Sequence, residues 1–298
     1  MVATTALRPG RVWWSAVRPA TLAASVAPVL AGTAIAVHDG GARPAAGLAA
    51  LVVALAIQVG VNFSNDYSDF KRGADTARRI GPVRAASSGV VAPEHVKWAA
   101  VAAFGLAGAV GVGLSLATDW RLLLVGAACL LAAWLYTGGP RPYGYLGLGE
   151  LFVFVFFGLI ATCGTVYVEE LHVTTLAWLV GCSLGFLAAA ILVLNNLRDI
   201  YTDAAAGKRT LATRIGREAT CYLLLAIALA TFMMPVLAVL TQAASPSILI
   251  TLLATPVLAG AVRTAFITIA GPQLVGALKR TAAAELAFSL LLAVGVLA

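Results

Sequence analysis

Residues 49–75 read AALVVALAIQVGVNFSNDYSDFKRGAD. The first part, Ala49–Gly60, carries no charge, whereas Asn62–Asp75 gathers three carboxylates (Asp66, Asp69, Asp75) and two cations (Lys71, Arg72). An uncharged run that ends abruptly in charge is the pattern of a helix leaving a membrane, where about 20 apolar residues cross the hydrocarbon. The rest of the chain agrees. Its 298 residues are 61% hydrophobic and 11% charged, with a mean hydropathy of +0.94. A soluble domain of this length could not keep so much apolar surface from water.

The expected fold class is therefore an all-α polytopic membrane protein, with nine transmembrane helices around a central cavity in a single domain spanning 1–298. Strands are not expected, because open sheet edges cannot sit in lipid. The apolar segments fall near 20–38, 45–64, 96–117, 120–137, 147–168, 173–196, 218–241, 246–262 and 281–298. Arg8, Arg11 and Arg18 precede the first of them, which suits a spanning helix better than a cleavable signal. Cys129, Cys163, Cys182 and Cys221 are scattered and read as small core residues, and His38, His95 and His172 have no partner at ligand spacing.

With nine spans, 18 of the 20 Lys and Arg residues fall on the side of the N-terminus. The positive-inside rule makes that side cytoplasmic and the membrane a cell (plasma) membrane. The net charge of +7 reflects this asymmetry, so no nucleic-acid partner is expected. Oligomeric state is not readable from sequence.

Two cytoplasmic stretches match each other. NFSNDYSDF follows the second span and NNLRDIYTD the sixth, both as Asn-x-x-x-Asp, 133 residues apart. On a helix Asn62, Asp66 and Asp69 share a face, and so do Asn195, Asp199 and Asp203. Four carboxylates converging near a membrane need cations to balance them. Oxygen-only ligands favour a hard ion such as Mg²⁺, which shares its shell with water and phosphate. Arg72 and Arg84 flank the first cluster, with Lys71, Arg78 and Arg79; Arg198, Lys208 and Arg209 flank the second. Such groups are the usual partners of phosphate oxygens. Acid with base at a membrane face reads as a metal–diphosphate site. Asp75 lies past Gly73, off the helix, and its role stays open. Between the fourth and fifth spans, YTGGPRPYGYLGLGE is too rich in Gly and Pro for regular helix. The loop offers Tyr136, Arg141, Tyr143, Tyr145 and Glu150, of which Tyr136, Arg141 and Tyr143 could hold a flat anionic aromatic acceptor; an interfacial aromatic belt is the alternative.

These motifs resemble a known family. NDYSDFKRGAD with NNLRDIYTDAAAGKRTLATRIG resembles the paired Asp-rich motifs of the UbiA superfamily of intramembrane prenyltransferases. YTGGPRPYGYLGLGE looks like its 1,4-dihydroxy-2-naphthoate polyprenyltransferase branch, which serves menaquinone synthesis. The resemblance implies two Mg²⁺ ions on Asn62, Asp66, Asp69, Asn195, Asp199 and Asp203. It implies as substrates a polyprenyl diphosphate and 1,4-dihydroxy-2-naphthoate, joined with loss of CO₂, and a tail lying among helices or membrane lipid. It also places Arg198, Lys208 and Arg209 on the diphosphate. Asp75 sits six residues after Asp69 where the family's commonest spacing is four, which leaves its metal role in doubt. Two other readings stand beside this one: another acceptor such as 4-hydroxybenzoate, and a secondary transporter or cation channel, whose acids would lie near the midplane.

Overall fold

Proline and threonine mark where helices begin. Pro9, Pro44 and Pro93 open α1 (Pro9–Val17), α3 (Pro44–Lys71) and α4 (Pro93–Thr118), positions where a missing N–H costs nothing. Thr174 and Thr210 cap α8 (Thr175–Ala205) and α9 (Leu211–Leu240), each accepting a backbone N–H at 3.3 Å. The remaining helices are α2 (Ala23–Asp39), α5 (Leu122–Leu135), α6 (Gly149–Val153), α7 (Ala161–Glu170), α10 (Thr255–Ile267) and α11 (Gly271–Leu297). A π-helical segment, Phe154–Ile160, joins α6 to α7, and a 3₁₀ segment, Pro246–Ala254, leads into α10. This computed structural model describes residues 8–73, 83–269 and 271–298, and no strand occurs among them.

Seven helical rods among the described residues are long and apolar enough to cross a membrane. The pair formed by Pro9–Thr21 and Ala23–Asp39, bent by 48°, makes an eighth. α5 has 14 residues, about 21 Å of helix, short of the roughly 30 Å hydrocarbon layer. Several helices outrun their expected spans. α3 continues to Lys71 rather than ending at 64, α8 to Ala205 rather than 196, and α11 starts at Gly271 rather than 281. Hydropathy registers only the lipid-facing part of a helix, and these extensions are polar.

α8 is the central pillar. Its apolar stretch is 72% buried, against 50% or less in the other long rods. It packs on α9, α11, α2 and the π segment. Gly181 and Gly185 form a small-xxx-small pair on α8 against Gly158. A Cβ at Gly185 would lie 2.7 Å from the Phe154 carbonyl oxygen, so the two backbones touch only because glycine is there. The outer surface is apolar, with Trp14, Trp98, Trp178, Leu229 and Ile267 all more than half exposed, as lipid contact requires. The four cysteines are free, Cys163 and Cys221 being buried.

One buried group sits oddly in this core. Glu285 of α11 is fully buried, and neither carboxyl oxygen has a hydrogen-bond partner. Such a group costs about 1–3 kcal/mol when unpaired. Glu285→Met, which keeps the unbranched shape, is expected to raise the melting temperature of detergent-purified protein by a few degrees. A lower melting temperature would show that the carboxyl group stabilises the helix packing.

Candidate functional site

The two acid-motif ends meet around one cavity of about 770 Å³. α3 and α8 deliver their C-terminal turns to it, and Arg84, Tyr145 and Lys208 reach it from the segments before α4, α6 and α9. Asn62, Asn65, Asp66 and Asp69 are all buried, as are Arg198 and Asp199. Carboxylates at helix C-termini oppose the negative end of the macrodipole. Their burial here is tolerable only because cations and N–H groups are supplied to them.

Asp69 is the hub. Its Oδ2 accepts from Arg84 Nη2 at 2.8 Å, and its Oδ1 from Lys208 Nζ at 3.0 Å and from Tyr145 Oη at 2.5 Å. Lys208 Nζ also lies 3.8 Å from Asp203 Oδ1, so one ammonium bridges the two acid motifs. Burial first, and then the Asp69 charge, push the Tyr145 phenol far above its ordinary pKa. It therefore stays protonated and donates. Its ring is flanked by the Lys208 ammonium at 4.7 Å and the Arg72 guanidinium at 5.4 Å.

In the second motif, Arg198 forks onto Asp199, Nε to Oδ1 at 2.8 Å and Nη2 to Oδ2 at 2.5 Å. The same Nη2 donates to Asn195 Oδ1 at 2.8 Å. Asp69, Arg84, Asn195, Arg198, Asp199, Asp203 and Lys208 all line the cavity. Its far end is apolar, walled by residues such as Ile57, Gly111, Val112, Gly126 and Leu130. A charged head with a long hydrocarbon tail fits this polarity.

Several residues behave otherwise than the sequence predicts. Asp66 spends its two oxygens on the backbone N–H groups of Ala85 (2.7 Å) and Ala86 (3.2 Å), which holds the Arg84 segment against α3. Asn62 lines the cavity, yet its amide donates to the Val17 carbonyl at 2.8 Å and its Oδ1 accepts from Gln58 at 3.4 Å. It ties α3 to the α1–α2 elbow, where Arg18 takes a left-handed conformation (φ 55°). Arg72 is exposed and its guanidinium donates to the carbonyls of Thr137 and Gly139, pinning the α5–α6 loop rather than facing the cavity. Arg209 is likewise exposed and off the cavity, its backbone N–H bound to Tyr145 O at 3.1 Å. Arg141 is exposed and outside the cavity, whereas Tyr136 and Tyr143 line it, 5.5 Å apart edge to face. Asp75, Arg78 and Arg79 lie outside the described residues. His172 is not isolated: its ring and the carboxyls of Asp39 and Glu170 offer ligand atoms within 4.8 Å of one another at the opposite end of the bundle.

The sequence reading did not select Arg18 or Asn65 for the site, and named Tyr145 only among the residues its loop offers. Arg18 lines the cavity, and Asn65 accepts from Thr137 Oγ1 at 2.6 Å. Only Tyr145 left a usable signal, as a third tyrosine in a loop already marked by its Gly and Pro content.

Comparison with known proteins adds a second line. Residues 25–296 match the profile of the UbiA prenyltransferase family. The chain is 42% identical over 281 residues to a 1,4-dihydroxy-2-naphthoate octaprenyltransferase of Mycobacterium leprae (strain TN), covering 94% of each. It is 43% identical over 287 residues to a protein of the same name from Mycobacterium tuberculosis (strain ATCC 25618 / H37Rv), covering 94% of this chain and 95% of that one. Among solved structures, a UbiA homolog from Archaeoglobus fulgidus bound to GPP and Mg²⁺ superimposes with a TM-score of 0.66 at 13% identity, covering 94% of this chain and 99% of that one.

Proposed function

The chain belongs to the UbiA prenyltransferase family, and from that premise we propose that it transfers a polyprenyl group from its diphosphate to 1,4-dihydroxy-2-naphthoate. The relatives' names specify an octaprenyl donor. The product is a demethylmenaquinol, formed with loss of CO₂. The observation that carries this reading is the Lys208 bridge between Asp69 and Asp203, which closes both acid motifs over one end of an apolar-walled cavity.

The donor set suits Mg²⁺. Carboxylate and amide oxygens are hard ligands, and Lys208 already shows that a cation is held between the two motifs. Asp69, Asp199 and Asp203, with Asp66 and Asn195 beside them, would hold two ions on this reading; metal binding itself is supported by the relative of the same fold bound to GPP and Mg²⁺. When bound, Mg²⁺ neutralises the diphosphate as it leaves. Arg84, Arg198 and Lys208 supply forks and an ammonium to the phosphate oxygens. Tyr145 holds Asp69 in place and keeps its own proton. The apolar wall excludes water from the allylic centre, whose cation would otherwise be hydrolysed. Nine spans follow if α1–α2 and the short α5 each cross, and the Lys and Arg distribution then puts the N-terminus and the site on the cytoplasmic face of the cell membrane.

The test is direct. Purified protein with octaprenyl diphosphate, 1,4-dihydroxy-2-naphthoate and Mg²⁺ is expected to yield a prenylated naphthalenediol and one CO₂ per turnover, with both lost on adding EDTA. Product from 4-hydroxybenzoate but not from the naphthoate would move the chain to another branch. Turnover undiminished by EDTA would remove the metal.

A further inference from the structure

α8 carries two consecutive asparagines that point in different directions. Successive helix residues are turned by about 100° and rise by about 1.5 Å. Asn195 joins the clamp through Arg198 (2.8 Å). Asn196 lines the same cavity but donates its amide N–H to Glu150 Oε1 of α6 at 2.9 Å. Both Asn196 and Glu150 are 8% exposed, and Glu150 Oε2 is buried without a hydrogen-bond partner.

A buried carboxylate with half its oxygens unused calls for a reason. The reason lies in what it does to the asparagine. A carboxylate accepts only, so it fixes which end of the Asn196 amide faces α6. The NH₂ group is turned to Glu150, and Oδ1 is left as an acceptor with no partner among the described residues. Aromatic rings line the same cavity: Tyr143 is stacked on Phe152 at 4.0 Å and meets Tyr136 edge-on at 5.5 Å. An acceptor atom with a known orientation, in a cavity that also presents a flat aromatic wall, suits the hydroxyl of an aromatic ring.

We propose that Asn196, oriented by Glu150, receives a ring hydroxyl of the aromatic acceptor. The inference rests on the prenyl-transfer reading above and deepens it by placing the acceptor. The location suits the reaction. A new carbon–carbon bond must join the ring to the carbon that leaves the diphosphate, and Asn196 is one residue from the diphosphate clamp. Glu150 is a positioning residue, acting through the amide. Asn196 contacts substrate.

The experiment separates the two substrates. Asn196→Leu is expected to raise KM for 1,4-dihydroxy-2-naphthoate roughly 10- to 100-fold, the effect of a lost buried hydrogen bond, with KM for octaprenyl diphosphate within twofold of wild type. Glu150→Gln should raise the acceptor KM by about tenfold, because a glutamine can offer either end and no longer fixes the amide. The wild type should also discriminate against mono-O-methyl ethers of the naphthoate by at least about tenfold at one oxygen, and Asn196→Leu should erase that preference. Equal effects on both KM values, or no effect on either, would overturn the proposal. Should a variant fail to fold, the ether series on the wild type decides alone: ethers at either oxygen used as well as the diol would overturn it. Absence of any transfer by the wild type would overturn the function itself and this inference with it. Wild-type transfer with unaltered variants would overturn the inference only.

Discussion

Asp66→Ala is expected to abolish prenyl transfer, by at least about 10³-fold, while the protein still inserts and can be purified. Two losses combine. The carboxylate leaves the acid cluster, and the Ala85 and Ala86 N–H groups lose their acceptor at 2.7 and 3.2 Å. Those contacts hold the segment that brings Arg84 to Asp69, so one substitution removes a charge from the acid cluster and loosens the anchor of a proposed phosphate-binding cation. Asp66→Asn separates the effects. An amide oxygen can still accept one backbone N–H but carries no charge. If anchoring dominates, Asp66→Asn should recover a large part of the activity; if charge dominates, it should stay near the alanine level. Octaprenyl transfer measured at saturating Mg²⁺ distinguishes them. Activity within tenfold of wild type in Asp66→Ala would sink the assignment of Asp66 to the site.

Lys208→Ala should split two quantities that usually move together. Its ammonium holds Asp69 at 3.0 Å and Asp203 at 3.8 Å. Without it, the acids repel one another until a metal arrives. Apparent Mg²⁺ affinity, read from the Mg²⁺-dependent rise in melting temperature, is therefore expected to increase. The transfer rate should fall about 10- to 100-fold, because the proposed charge-assisted hydrogen bond to the diphosphate, worth about 1.5–3 kcal/mol, would be gone. On the proposed reading, metal uptake would be an exchange of one cation for another. A variant that loses both Mg²⁺ response and activity would mean that Lys208 supports the fold of the site rather than competing there.

Much of this was legible in the sequence, for physical reasons. The positions of Asp66, Asp69, Asp199 and Asp203 follow from helical spacing, and α3 and α8 do carry them as continuous helix. Spans were legible because lipid imposes a long apolar run. What escaped was long-range. Nothing local to Arg72 and Arg84 says that the first turns away to loop carbonyls while the second reaches Asp69. Lys208 and Arg209 are neighbours, yet only one lines the cavity. Asn62 has the spacing of a ligand, but Gln58, one turn back, and Val17, 45 residues away, claim its amide. The Glu150–Asn196 pair spans 46 residues and leaves no periodic trace.

The cavity's two-ended lining has a consequence for turnover. On the proposed reading both substrates come with an anion, a diphosphate on one and a carboxylate on the other, and the cations at the polar end would hold the charged molecules there. The reaction detaches the first and expels the second as CO₂. The joined product is neutral, so the polar end loses its hold on the molecule at the moment the bond is made. What remains attached is hydrocarbon, for which the apolar end and the bilayer are equivalent solvents. Discharge of the anions thus gives the protein a direction: it retains what has yet to react and lets go of what has.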